Sequence, residues 1–81
     1  MYLVRCYNDD RYDEFVAINK SKDKAIDQVV KAYGKVYEMT DDDVKEMWHY
    51  KSLKDYILCE RGLSVYKIDE EKVLVNGKEF E

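Results

Sequence analysis

Apolar residues at Ala25, Ile26, Val29, Val30 and Tyr33 recur at spacings of three and four, between two stretches rich in strand formers. A stripe of that period buries one side of a helix, and strands on either side of it need a common surface to pack against. The pattern predicts an α+β fold: an antiparallel sheet from N-terminal and C-terminal β-hairpins, packed on two to three central helices in the order β, β, α, α, β, β. At 81 residues one domain, residues 1–81, is expected. A chain of this size buries only about 60–65% of its unfolded surface, so the core is thin and an enclosed catalytic cavity has little room.

Tyr2 to Tyr7 reads as a strand, and Phe15 to Ile18 as its return after a polar interruption from Asn8 to Asp13. Asn and Asp bond their own backbone in turns, which suits them to that connection. Tyr2, Val4 and Cys6 would share one face and Val16 and Ile18 another, both turned to the helices. Ser21 supplies an N-cap oxygen and Asp23 a first-turn negative charge, with Gly34 the expected stop unless Val36 and Tyr37 prolong the stripe. Thr40 and Asp43 form a capping-box pair in which Asp replaces the usual Glu, opening a helix whose apolar face is Val44, Met47 and Trp48. Ser52 and Asp55 form another cap pair before Leu53, Tyr56 and Ile57. The rival for that segment is a strand at Tyr56–Glu60 that turns at Arg61-Gly62.

Leu63 to Ile68 and Lys72 to Val75 read as the C-terminal hairpin, turning at Asp69-Glu70-Glu71. Asn76-Gly77 is a primed-turn dipeptide, so any strand after it is short and at the edge. The expected core is Val4, Cys6, Val16, Ile18, Ile26, Val29, Val30, Met47, Trp48, Ile57, Val65 and Ile68.

Two cysteines, Cys6 and Cys59, are too few for a secreted disulfide scaffold, and both read as reduced, buried, small apolar side chains. No charged leader with an apolar core precedes them, and no apolar run approaches the roughly 18 residues that span a bilayer. A cytoplasmic location and no membrane partner are expected. The single histidine, His49, reads as a partly exposed structural residue, and no catalytic residues, metal site or cofactor are expected. Asp41, Asp42 and Asp43 lack the alternating ligands and glycine of a calcium loop, and three scattered glycines build no phosphate loop.

The net charge is −4, and its whole excess lies in residues 41–81. An acidic surface repels phosphate backbones, so direct nucleic-acid binding is disfavoured and a basic protein surface is the better partner. Eight tyrosines in so small a chain must be partly exposed, and tyrosine is favoured at interfaces. Tyr7, Asp9, Asp10, Arg11, Tyr12, Asp13 and Glu14, around the first hairpin tip, are the expected partner-binding residues.

Met1 to Ala25, with a strand, an acidic Asn/Asp/Tyr turn, a second strand and a Ser-capped helix opening on Ala-Ile, resembles small orphan proteins of phages and mobile elements of low-GC bacteria. The proline-free composition rich in Lys, Asp, Glu and Tyr is compatible with that resemblance. Many such proteins act on host defences, as anti-CRISPR or related anti-defence inhibitors. The resemblance therefore implies a non-catalytic inhibitor of a larger host protein, working in the host cytoplasm. The alternative is a homo-oligomeric small-ligand binder that sequesters a nucleotide-derived signal, for which Arg5, Arg11, Lys20 or Arg61 must converge with tyrosine rings.

Overall fold

A computed structural model describes residues 1–67 and the strands at 72–75 and 78–79. The chain runs β1 (Tyr2–Asn8), β2 (Asp13–Asn19), α1 (Lys22–Tyr37), α2 (Asp41–Trp48), α3 (Leu53–Glu60), β3 (Ser64–Lys67), β4 (Lys72–Val75) and β5 (Lys78–Glu79). This is the α+β architecture expected, with three helices between the strand segments and one antiparallel sheet in the order β3-β1-β2-β4-β5. Residues 53–60 are helical, which decides against the strand alternative.

The C-terminal strands differ from the expected hairpin in one respect. β3 pairs with β1 and β4 with β2, so the two flank the N-terminal hairpin on opposite sides. The chain's last hairpin is instead β4–β5, with Val75 opposite Lys78, and its two-residue outer strand lies at the sheet edge.

Each helix begins where a side chain can accept an otherwise unpaired backbone N–H. Ser21 accepts from Lys24, Ser52 from Asp55, and Thr40 from Asp43, whose carboxylate in turn accepts the Thr40 N–H to complete the capping box. The ends are less conventional. α1 continues past Gly34 to Tyr37 and closes on Glu38 in the left-handed region (φ 51°), whose N–H donates to the Gly34 carbonyl. α2 closes the same way on His49 (φ 61°), and Gly62 (φ 78°) follows α3.

The core lies between the sheet and the helices and joins Val4, Cys6, Phe15, Ala17, Val29, Tyr33, Val44 and Ile57. Antiparallel partners point to the same side of a sheet, and Val4 faces Ala17 while Cys6 faces Phe15. Phe15 and Ala17 therefore meet the helices. Val16 and Ile18, expected there, are buried on the other face, opposite Arg5 and Leu3. A shift of one residue inverts a strand, and the composition of Phe15–Ile18 is apolar throughout, so alternation could not choose.

Other expected core positions are corrected outright. Met47 (63% exposed) and Trp48 (43%) lie at the surface, because α2 is two turns long and seats only Val44 in the core. Val65 is exposed on the edge strand β3, whereas Val30 is half-buried and does pack against the core. Ile68 lies outside the described residues. Cys6 is buried, but Cys59 is exposed on α3; both are free thiols. Among the described residues no helix is long and apolar enough to cross a membrane.

Gly34 has a role other than capping. A Cβ at that position would come within 2.8 Å of both Leu53 Cδ2 and the Met39 carbonyl oxygen. Helix propensity alone would favour alanine there by about 1 kcal/mol. Overpacking against backbone costs about 1–3 kcal/mol and wins. Gly34→Ala is expected to destabilise the protein by about 1–2 kcal/mol in urea unfolding, whereas a gain in stability would mean that α1 and α3 can move apart freely.

Candidate functional site

The hairpin tip is built on Asn8, a buried polar residue at the end of β1. Its Oδ1 accepts the backbone N–H groups of Asp10 (3.1 Å) and Arg11 (3.3 Å), and its Nδ2 donates to the Tyr33 hydroxyl at 3.4 Å. The turn is thereby tied both to itself and to α1. Tyr12 then takes the left-handed conformation (φ 59°), which directs its ring outward, where it is 78% exposed.

The seven expected contact residues do not form one surface. Glu14 lies opposite Tyr7 on the sheet face turned away from the helices and pairs with Arg5 at 2.6 Å, while the Arg5 guanidinium also lies over the Tyr7 ring. Asp13 turns to the helix side and accepts the Tyr37 hydroxyl proton at 2.6 Å. Asp9 and Asp10 bond Arg61 at 3.1 and 3.0 Å. Arg11 lies over the Tyr37 ring, its guanidinium carbon 5.8 Å from the centroid. Tyr12 alone is directed fully outward.

Arg61, the C-cap of α3, is the residue that locks this arrangement. Its Nε donates to the Tyr33 hydroxyl at 3.4 Å while its two terminal nitrogens hold the tip carboxylates, and its side chain is 15% exposed. The bonds to Tyr33 and to the Asp10 carboxylate keep it firmly charged, outweighing desolvation. It lies 28 positions from Tyr33 and more than 50 from Asp9 and Asp10 in sequence, so no local spacing could have paired them. Tyr33 and Tyr37 carried a signal, since they stand one helical turn apart on the stripe of α1.

Between the tip and the helices is a pocket of about 220 Å³. It is lined by the buried Asn8, Tyr33 and Tyr56, the half-buried Tyr37, Met39 and Arg61, and the exposed Asp10 and Arg11. Two of the four basic residues that a ligand site was expected to need, Arg11 and Arg61, thus meet three tyrosines; Arg5 and Lys20 do not line it. Among the described residues no three His, Cys, Asp or Glu side chains cluster as metal ligands. Comparison with protein-family models, with curated proteins and with solved structures finds no match.

The electrostatics of the tip follow from its pairings. Its carboxylates Asp9, Asp10 and Glu14 pair with Arg61 and Arg5, and with Asp13 and Arg11 included the tip carries four negative and three positive charges. The segment from Glu38 to His49, by contrast, holds five carboxylates and one lysine, a balance equal to the net charge of the whole chain. Two of those carboxylates also serve the fold: Asp43 caps α2, and Asp41 accepts the Leu53 N–H at 2.8 Å.

Truncating Arg61 removes a bond to a buried hydroxyl as well as two screened ion pairs. Arg61→Ala is expected to cost about 1–2 kcal/mol in urea unfolding, and the double change Asp9→Asn, Asp10→Asn less than about 1 kcal/mol, because both carboxylates are about three-quarters exposed. Equal losses would place the stabilising contact in the ion pairs.

Burial pushes the Cys6 thiol from its ordinary 9.0 up to about 11, and burial likewise raises the Tyr33 and Tyr37 hydroxyls, Tyr37 further through its bond to Asp13. The folded protein therefore holds protons that the unfolded chain releases above about pH 9, so stability must fall as pH rises from there. Cys6 alone contributes a slope of up to about 1.4 kcal/mol per pH unit between pH 9 and 11. Urea titrations across that range should show a shallower decline for Cys6→Ala than for the natural chain; identical slopes would remove Cys6 as a source.

Proposed function

We propose that this chain is a small non-catalytic protein-binding inhibitor or modulator that engages a basic surface of a larger host protein, with Tyr12 at the hairpin tip as its anchor. The observation that carries the reading is a large aromatic side chain held outward on a turn that is already ordered. Asn8, Arg61 and Tyr37 fix that turn before any partner arrives, so little entropy remains to be lost on binding. Tyrosine on a rigid support is a frequent energetic centre of interfaces.

The acidic segment from Glu38 to Glu46 adds a field that steers a basic partner, while the nearly balanced charges of the tip serve short-range contact. The assignment to phage anti-defence proteins rests on the resemblance of Met1 to Ala25. The internal pairings also alter which residues can be changed without cost. Asp13 is bound to Tyr37, so its reversal to lysine would disturb the fold; Tyr12 has no such tie.

The test is affinity capture from a host lysate with the natural chain and with Tyr12→Ala. The expected result is a basic protein retained by the natural chain, released as salt is raised, and bound at least tenfold more weakly by Tyr12→Ala at unchanged melting temperature. Equal retention by both chains would remove the tip as the interface.

A further inference from the structure

The pocket beneath the tip holds an unspent hydrogen-bond donor. The Tyr33 hydroxyl, on a side chain 1% exposed, receives hydrogen bonds from Asn8 Nδ2 and Arg61 Nε. Both of those nitrogens can only donate, and the Asn8 amide orientation is settled by the two backbone N–H groups on its oxygen. The proton of the Tyr33 hydroxyl therefore has no acceptor among the described residues, and Tyr33 lines the pocket together with both of its donors, Asn8 and Arg61. A buried donor without a partner is costly, and an incoming acceptor relieves it.

We propose that this pocket binds a small anion that carries a planar aromatic ring, of nucleoside-monophosphate chemistry. The ring enters among Tyr37, Tyr56 and Met39, one of its acceptor atoms takes the Tyr33 proton, and the phosphate stays at the rim with Arg11 and Arg61. The size agrees with that division. About 220 Å³ accommodates a ring but falls short of the roughly 300 Å³ at which pockets for larger ligands begin, so the anionic group is left at the mouth.

The charges agree as well. The lining carries two guanidinium groups against one carboxylate, in a chain whose net charge is −4. Arg11 makes no ion pair among the described residues and is already set over the Tyr37 ring. Arg61 is held by Asp9 and Asp10, but both carboxylates are largely in water, where ion pairs are weak. A phosphate, with three acceptor oxygens and most of two charges at neutral pH, can replace them on Arg61 in a charge-assisted pair. The site needs neither a second copy of the chain nor the host partner.

The experiment titrates the full chain with adenosine 5′-monophosphate, uridine 5′-monophosphate, adenosine and inorganic phosphate, by calorimetry and by the emission of Trp48. Trp48 stacks on Tyr56 with ring centroids 5.2 Å apart, so occupation of the pocket reaches the indole through its wall. The expected result is saturable binding of at least one nucleotide at one site per chain, with adenosine and phosphate each at least tenfold weaker. Arg11→Ala should weaken the nucleotide at least tenfold at unchanged melting temperature, and Tyr33→Phe, which keeps the ring and removes the proton, severalfold. The proposal is overturned if neither nucleotide saturates below millimolar concentration, if phosphate alone or adenosine alone binds as tightly, or if Arg11→Ala binds as the natural chain does. None of these outcomes bears on capture of a partner through Tyr12.

Discussion

Tyr33 is the side chain on which the rest of the structure depends. Its ring is packed at 5.2 Å from Phe15 of β2 and 4.6 Å from Tyr37 of α1, and its hydroxyl receives bonds from β1 through Asn8 and from the end of α3 through Arg61. Burying such a ring contributes on the order of 2–3 kcal/mol, a large share of the stability of so small a domain. The polar end does what the ring cannot. Apolar contacts are non-directional, whereas a hydroxyl that holds two donors sets where the hairpin tip and the end of α3 sit relative to each other.

That placement has an electrostatic consequence. Once Arg61 is fixed beside Tyr33, Asp9 and Asp10 fall within reach of its terminal nitrogens, and the acidic turn closes over the aromatic pocket. The two carboxylates Asp9 and Asp10 thus share one guanidinium at short range. The long-range field of the protein comes instead from the start of α2, where the carboxylates also cap a helix and hold the first N–H of the next. Capping and steering are compatible because a carboxylate that accepts a backbone N–H remains charged.

The second aromatic group, Trp48, Tyr50 and Tyr56, extends from the other side of the pocket. Tyr50 stands edge-on to Tyr56, and its hydroxyl bonds Glu60 across the α2–α3 connection. Tyr56 is shared between this group and the pocket wall, which couples the two short helices to the site beneath the tip. α2 and α3 are each only two turns long, too short to be stable alone, so these ring contacts and the side-chain caps hold what propensity cannot.

What the sequence determined by itself is local. The caps at Ser21, Thr40 with Asp43, and Ser52 were legible because a side chain two or three residues away satisfies the N–H, and the strand segments were legible from their composition. The exposure of Met47 and Trp48 was not, because an apolar spacing shows that one face of a helix is apolar without showing whether anything covers it. The faces of β2 required its register against β1, and the splitting of the C-terminal strands required the whole sheet. Gly34 read as a helix stop until α3 and the Met39 carbonyl were seen to approach it. The clustering of Asp9, Asp10, Arg11 and Tyr12 at the tip was legible, but Arg61 and Tyr56, which meet Asp10 and Arg11 around the pocket, come from a distant segment of the chain. Only the tertiary structure could join them, because caps and turns are satisfied within a few residues of chain whereas pockets and ion pairs are made by whatever the packing of the core brings together.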